Sequence, residues 1–198
     1  GLAFIHLSLY DTLCHRYGKG SAETDKALEA LNNNLETLLE AAGDRDVILF
    51  TDHSQLNVHT PLTPNDLVKG ENGSFIECCG GSAFLHAGGL ADHRVAQIKE
   101  IIAESAGFRR FLTQDEMNES GHTHAAFGFC AKAGYCYEPA QKRMKATHGY
   151  PLDMPGYDVF YMARGRDFDM SGAKGSLLDI APLAARRLGL IGVGQQLE

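Results

Sequence analysis

The order of the apolar segments near the N-terminus is the strongest constraint on the fold. Residues 2–9 form an apolar run that is typical of a buried strand. Over residues 21–42, leucines and alanines recur at steps of three and four, which predicts an amphipathic helix that ends before Gly43. Residues 46–51 form a second apolar run soon after that glycine. A strand, a helix and a strand in this order predict a parallel βαβ unit and therefore an α/β fold.

The middle of the chain predicts a hairpin-rich α+β insertion at residues 60–138. Segments 74–79 and 83–87 flank Gly80-Gly81 and are expected to form one hairpin, and segments 122–131 and 135–138 flank Gly134 and are expected to form a second. The other predicted elements are a loop over 10–19, an irregular segment over 52–73, a helix that includes 90–102, a strand over 158–164 and a helix over 176–188.

The composition excludes several classes of protein. The chain has 25 acidic and 18 basic side chains, and no basic cluster is longer than Arg186-Arg187, which argues against binding of a nucleic-acid polymer. No apolar run approaches the roughly 20 residues that a membrane span needs. The five cysteines are an odd number, which favours reduced thiols over a disulfide framework and predicts a cytoplasmic protein.

Both ends of the sequence predict a piece of a longer protein. Gly1 has no methionine before it and leads directly into the apolar run, so the chain begins inside an expected core strand. Leu197-Glu198 is typical of the residues that precede a purification tag. We therefore expect a C-terminal fragment.

Carboxylates and imidazoles cluster where the predicted strands end. Asp11 and His15 are four residues apart, so in a helical turn they would share one face. Asp52 and His53 directly follow a buried strand, and His148 precedes another. Each group alone also fits a capping carboxylate with a surface or structural histidine. Together, the mixed nitrogen and oxygen donors suit zinc or manganese.

Three motifs in this order resemble the nucleotide pyrophosphatase/phosphodiesterase branch of the alkaline phosphatase superfamily. Asp11, His15 and Gly18 match its Asp-x-x-x-His-x-x-Gly motif, and Thr51-Asp52-His53 matches its Ser/Thr-Asp-His-Gly motif. The matches continue at the C-terminal side with Thr147-His148-Gly149-Tyr150, then Ala163, Gly165 and Phe168, and a closing helix near 179–190.

The resemblance implies the C-terminal part of an alkaline-phosphatase-like domain, with a mainly parallel sheet flanked by helices. It implies two divalent metal ions, with zinc favoured and manganese as the alternative. Asp11, His15 and His148 would hold one ion, and Asp52 and His53 would hold the other. The family's further Asp and its Thr or Ser nucleophile lie upstream of this chain. We therefore expect two-metal phosphoryl transfer in the parent protein and an inactive isolated chain.

Other interpretations stay open at this point. Cys14 and Ser54 stand where the family usually has glycine, and Cys14 is either a soft donor near the metal or a packing residue. The shared ligands also fit a sulfatase, a phosphonate hydrolase or a phosphomutase, and a non-catalytic metal-binding or assembly domain is the alternative from another class. The expected partner is a phosphate ester or nucleotide. An exposed sheet edge could also pair two copies into a homo-oligomer.

Two further groups of metal-binding residue types are expected to be structural. Cys78, Cys79, Cys130 and Cys136 lack a Cys-x-x-Cys spacing and are expected to be ordinary buried thiols. His122 and His124 are expected to share one face of a strand and to face solvent or the substrate cleft.

Overall fold

A computed structural model describes residues 1–138, 143–165 and 175–190. These residues form five α-helices and nine strands. In chain order, the elements are α1 (Leu9–Tyr17), α2 (Ala22–Ala42), β1 (Val47–Phe50), β2 (Leu56–Leu62), β3 (Phe75–Cys79), β4 (Ser82–His86), α3 (Asp92–Ala103), β5 (Phe108–Phe111), α4 (Gln114–Glu119), β6 (Phe127–Ala131), β7 (Gly134–Tyr137), β8 (Ala146–Thr147), β9 (Tyr161–Arg164) and α5 (Ile180–Arg187).

The chain divides into two compact units. Among the described residues, the first unit comprises residues 1–8, 28–52, 159–165 and 175–190, and the second comprises residues 9–27, 53–138 and 143–158. In the first unit, β1 and β9 pair antiparallel, with Val47 opposite Arg164. The Arg164 guanidinium donates hydrogen bonds to the carbonyl oxygens of Leu39 and Gly43, at 3.3 and 2.9 Å, and so satisfies acceptors at the C-terminal end of α2.

The predicted βαβ unit is not formed by the described residues. Residues 2–7 are exposed and have no regular structure, and they pair with no described strand. The predicted helix over 21–42 is confirmed by α2, and the strand predicted over 46–51 is confirmed by β1. The strand predicted over 158–164 is the shorter β9, and its side chains alternate between half-buried and exposed. It therefore lies at a surface rather than in a core.

The core of the second unit lies on a four-stranded antiparallel sheet with the strand order β3-β4-β6-β5. The first predicted hairpin is confirmed, since β3 pairs with β4 from Phe75–His86 to Cys79–Ser82. One face of this hairpin carries Ile76 and Leu85 into a cluster with Phe129 and, from α3, Ile98. The helix predicted over 90–102 is therefore confirmed as the cover of this sheet.

The second predicted hairpin is wrong. Only residues 132 and 133 separate β6 from β7, but both edges of β6 are already occupied, by β4 and β5. β7 instead pairs parallel with β2 in a second sheet with the order β7-β2-β8. β2 lies in the segment that was expected to be irregular, because its Thr, Asn and Pro residues resemble loop composition.

A helix replaces the loop that was predicted over residues 10–19. α1 has Asp11 in its first turn and His15 and Arg16 in its last turn, an arrangement that favours the helix dipole. At its end, Gly18 has a φ of +87°, and its N–H donates to the carbonyl of Cys14 at 2.8 Å. This left-handed glycine is a common helix stop.

The α/β class is confirmed by the described helices and strands. Among the described strands, only the β2–β7 pair is parallel, so the mainly parallel sheet of the expected fold is not seen in this part of the chain.

The helix predicted over 176–188 is seen as a 3-10 turn followed by α5. Phe168 lies outside the described residues, and the insertion boundaries at 60 and 138 stay a prediction. Within the described ranges, no helix combines the length and apolar character of a membrane span.

An ion-pair network ties β5 to α4 and to the segment before β9. The Arg110 guanidinium donates to both carboxylate oxygens of Glu116, at 2.6 and 2.8 Å, and to Asp153 at 3.1 Å. Arg109 donates to the same Asp153 at 2.7 Å. These hydrogen bonds lower the pKa of Glu116 from 4.5 to about 2 and that of Asp153 from 3.8 to about 2.

The network predicts an acid-dependent loss of stability. Because the folded-state pKa of Glu116 lies below its ordinary value, the stabilisation is complete above about pH 5 and is lost as the pH falls toward 2. We expect Glu116→Gln to lower the free energy of unfolding at pH 7 and to become indistinguishable from wild type near pH 2. Urea unfolding across this pH range measures the difference. Glu119→Gln, at an exposed position on the same helix, should leave the pH profile unchanged; equal profiles for the two variants would contradict the prediction.

Candidate metal centre

The first two predicted ligands lie on one face of α1. Asp11 and His15 are one helical turn apart, and the distance from Asp11 Oδ1 to His15 Nε2 is 3.5 Å. Both side chains are partly exposed, at 39% for Asp11 and 22% for His15, so an ion from solvent can reach them. The helical spacing thus brings a carboxylate and an imidazole to the same point.

A hydrogen bond from β8 orients the His15 imidazole. Its Nδ1 lies 2.8 Å from the carbonyl oxygen of Ala146, which can only accept, so the proton belongs on Nδ1. The lone pair is then on Nε2, the nitrogen that faces Asp11. Hydrogen bonds of this type fix the tautomer of metal-binding histidines. The backbone N–H of Lys145 also donates to the carbonyl of His15 at 2.8 Å.

Strand pairing brings His148 to the same place. β8 pairs antiparallel with the start of β2, with Leu56 opposite Thr147, and His148 follows directly. The ring of His148 meets that of His15 edge-on, with 5.1 Å between centroids. One ligand atom each of Asp11, His15 and His148 lies within 4.8 Å of the other two. The structure therefore brings together three of the five residues expected to bind metal.

His53 joins this group from the segment before β2. Its Nε2 lies 4.0 Å from Asp11 Oδ1, and its ring stacks on that of His148 with 4.0 Å between centroids. Its Nδ1 lies 3.3 Å from the carbonyl oxygen of Ser54, which favours Nε2 as the nitrogen that faces the carboxylate. Asp52 follows β1 closely and belongs to the first unit. The assignment of all five residues as ligands stays a prediction.

Gln55 is the residue of this site that sequence reasoning missed. It is buried, and its side-chain amide donates hydrogen bonds to the Asp11 carboxylate and, at 3.3 Å, to the Asp11 carbonyl oxygen. Gln55 thereby holds Asp11 in the rotamer that faces the histidines. A glutamine two residues after Asp-His carries no local signal, because its partner lies 44 residues away.

Cys14 is a packing residue. Its side chain is 1% exposed, and burial raises the pKa of the thiol, so it stays protonated at neutral pH. It does not belong to the group of converging ligand atoms on α1. Of the two alternatives for this cysteine, the structure favours packing over metal binding.

The turn between β3 and β4 contacts the backbone of His148 and Gly149. The N–H of Gly81 donates to the carbonyl of His148 at 2.8 Å. A Cβ atom on Gly149, which has a φ of +79°, would lie 1.9 Å from the carbonyl oxygen of Cys79. Two backbones therefore touch here, and only glycine permits the approach.

A family model described as "Type I phosphodiesterase / nucleotide pyrophosphatase" matches residues 1–127. The chain belongs to the type I phosphodiesterase/nucleotide pyrophosphatase family. The matched segment contains four of the five expected ligands, Asp11, His15, Asp52 and His53, and the expected superfamily is thus confirmed. No curated protein sequence gives a significant match.

Solved structures support the fold. Human ectonucleotide pyrophosphatase/phosphodiesterase 5 is 12% identical, with a TM-score of 0.72 over 95% of this chain and 54% of that chain. An inactive variant of the murine protein in complex with AMP is also 12% identical, with a TM-score of 0.61 over 78% and 44%. Phosphonoacetate hydrolase from Sinorhizobium meliloti, in complex with phosphonoacetate, is 13% identical, with a TM-score of 0.56 over 77% and 43%. The chain thus spans about half the length of these structures.

The contact at Gly149 predicts a specific cost of adding one methyl group. Gly149→Ala should lower the free energy of unfolding by about 1–3 kcal/mol more than Gly156→Ala, because overpacking is added to backbone strain. Gly156 is the matched control, since its φ of +72° is similar and a Cβ there would meet nothing within 4 Å. Chemical denaturation measures both values. Equal losses in the two variants would show that the close approach is unimportant.

Proposed function

We propose that Asp11, His15 and His148 bind a divalent transition-metal ion that serves a phosphohydrolase active site. The observation that carries this proposal is the convergence of three ligand atoms within 4.8 Å, two of which, on Asp11 and His15, lie in the segment that matches a phosphodiesterase family. Two of the three ligands come from one helical turn, and the third directly follows β8, in which the carbonyl of Ala146 accepts a hydrogen bond from His15 on that helix.

The donor set fits zinc and, as the alternative, manganese. Two nitrogen or oxygen ligands at about 2.1 Å from a tetrahedral ion are about 3.4 Å apart. The separation of 3.5 Å between Asp11 and His15 is close to this value. Two imidazoles and one carboxylate leave a fourth position open, as in catalytic sites. Gln55 holds the carboxylate and Ala146 holds the His15 ring, so both would be in place before an ion binds.

We propose that His53 helps to bind a second ion, together with residues from an upstream half of the parent protein. A pair of ions about 3.5–4 Å apart would polarise the phosphoryl group and stabilise the oxygens of the displacement. The nearness of His53 to both Asp11 and His148 supports this role. The Thr or Ser nucleophile of the proposed reaction belongs to the upstream half, and the role of this chain is to hold the metal ions and to position them.

The proposed substrate is a small phosphodiester or a nucleotide. The AMP complex of the murine structural relative supports this class. A phosphonate is the second candidate, because phosphonoacetate hydrolase shares the fold. A sulfatase or phosphomutase reaction and a purely non-catalytic metal site are the further alternatives. The cytoplasmic location and a homo-oligomeric state stay predictions.

Metal binding by the 198-residue chain tests the proposed site. We expect Asp11→Asn, His15→Ala and His148→Ala each to remove one equivalent of bound Zn²⁺ or to weaken its binding at least tenfold, as measured by isothermal titration calorimetry and elemental mass spectrometry. His93→Ala, at an exposed position on α3, is the control and should bind like wild type. Unchanged binding in all three site variants would refute the site.

Hydrolysis by the full-length parent protein tests the reaction. We expect Zn²⁺- or Mn²⁺-dependent cleavage of a chromogenic phosphodiester that falls at least 100-fold in the His148→Ala variant, whereas the 198-residue chain alone should have no activity. Cleavage of a phosphonate or sulfate ester in place of the phosphodiester would identify one of the alternative reactions. Robust metal-dependent turnover by the isolated chain would contradict the assignment of the nucleophile to the upstream half.

A further inference from the structure

A second group of metal-binding side chains lies on the outer face of the β3–β4 hairpin. Glu77 and Cys79 are two residues apart on β3 and therefore share a face. On the partner strand, Phe84 lies opposite Glu77, and Ser82 lies opposite Cys79. The alternate residues Ile76 and Leu85 point into the core. The sheet thus presents Glu77 and Cys79 side by side, away from the core.

His122 completes this group from the turn after α4. Its ring stacks flat on that of Phe84, with 3.5 Å between centroids, and Phe84 is the cross-strand neighbour of Glu77. The stacking places His122 Nε2 3.7 Å from Glu77 Oε2. One ligand atom each of Glu77, Cys79 and His122 lies within 4.8 Å of the other two. The prediction that His122 lies on a strand is wrong, because β6 begins only at Phe127.

The hydrogen bonds of His122 assign its tautomer. The Ser120 hydroxyl donates to the carbonyl of Met117 at 3.1 Å, so its oxygen is left to accept from His122 Nδ1, also at 3.1 Å. The proton of the neutral imidazole is therefore on Nδ1, and the lone pair on Nε2 faces a carboxylate oxygen. Two lone pairs that face each other repel unless a cation, either a metal ion or the second proton of an imidazolium, lies between them.

We propose that Glu77, Cys79 and His122 form a second, separate binding site for a zinc-class divalent ion. The separation of 3.7 Å between Glu77 and His122 approaches the distance of about 3.4 Å between nitrogen and oxygen ligands of tetrahedral zinc. The set of one oxygen, one nitrogen and one sulfur donor favours zinc over magnesium or calcium. An ion here joins β3 to the turn after α4.

His86 is a positioning residue for this site. Its Nε2 lies 2.9 Å from Glu77 Oε2, and its ring stacks on that of Phe75 at 4.4 Å. A histidine that donates to a ligating carboxylate holds the oxygen in place, as outer partners of metal ligands do. The hydrogen bond and the stacking together keep Glu77 turned toward Cys79 and His122.

The Cys79 thiol is protonated at neutral pH in the absence of a metal ion. Burial raises the pKa of Cys79, and the charge of Glu77 raises it further. Metal binding exchanges the thiol proton for the ion, so no oxidant or other reactant is needed.

Cobalt substitution distinguishes this site from the first, because only this one contains sulfur. We expect the chain to bind Co²⁺ with a near-ultraviolet sulfur-to-cobalt charge-transfer band and to bind Zn²⁺ in competition. Cys79→Ser and His122→Ala should lose the band together with one equivalent of metal. His86→Ala should keep the band but raise the dissociation constant about 10- to 100-fold.

Two control variants make the result specific. Cys78→Ala removes the neighbouring thiol, which is on the opposite face of β3, and should keep the band. Asp11→Asn should lose one equivalent of metal at the first site and keep the band, so that failure of one site is distinguishable from failure of the other. A wild-type titration without a charge-transfer band, or a band that persists in Cys79→Ser, overturns the proposal.

Discussion

The docking of β8 against α1 is the interaction on which the candidate metal centre depends. The backbone of Lys145 donates to the carbonyl of His15, and the carbonyl of Ala146 accepts from the ring of the same residue. One histidine thus bonds the strand through both its main chain and its side chain. Because His148 follows two residues after Ala146, these bonds determine how near it lies to Asp11. Without them, the i, i+4 pair on α1 would be only an isolated surface contact between a carboxylate and an imidazole.

The hairpin of β3 and β4 links the two candidate metal sites. Its turn, Gly80-Gly81, packs against the backbone of His148, and a Cβ on Gly81 would collide with the ring of Tyr150. Cys79, immediately before the turn, belongs to the proposed second site. One face of the hairpin fills the core, its turn supports the first site and its outer face carries the second. A short antiparallel hairpin can do this because its side chains alternate between faces.

Packing differs between the two units. All the residues of the hydrophobic core among the described residues belong to the second unit, where Ala83, Leu85, Ile98 and Phe129 are fully buried. In the first unit, the apolar side chains Phe4 and Met162 are 77% and 61% exposed. The residues that converge in the candidate metal centre therefore belong to the better-packed unit. This packing provides the rigidity that a preorganised ligand set needs.

The sequence alone determined the features that depend on neighbours along the chain. These are the α2 helix, the first hairpin with its glycine turn, and the motifs that indicate the family. Each follows from a period or a spacing within a few residues.

The tertiary structure alone decided which strands pair and which distant side chains meet. β7 does not form the expected hairpin with β6, because β4 and β5 pair with both edges of β6. The sequence near β6 and β7 does not show which strands compete for these edges. Gln55 bonds Asp11, and His122 lies beside Glu77, although more than forty residues separate the members of each pair along the chain. Such contacts are decided by the packing of whole elements, because a side chain's partner is set by the surface that its strand or helix is buried against, and not by the residues beside it in the chain.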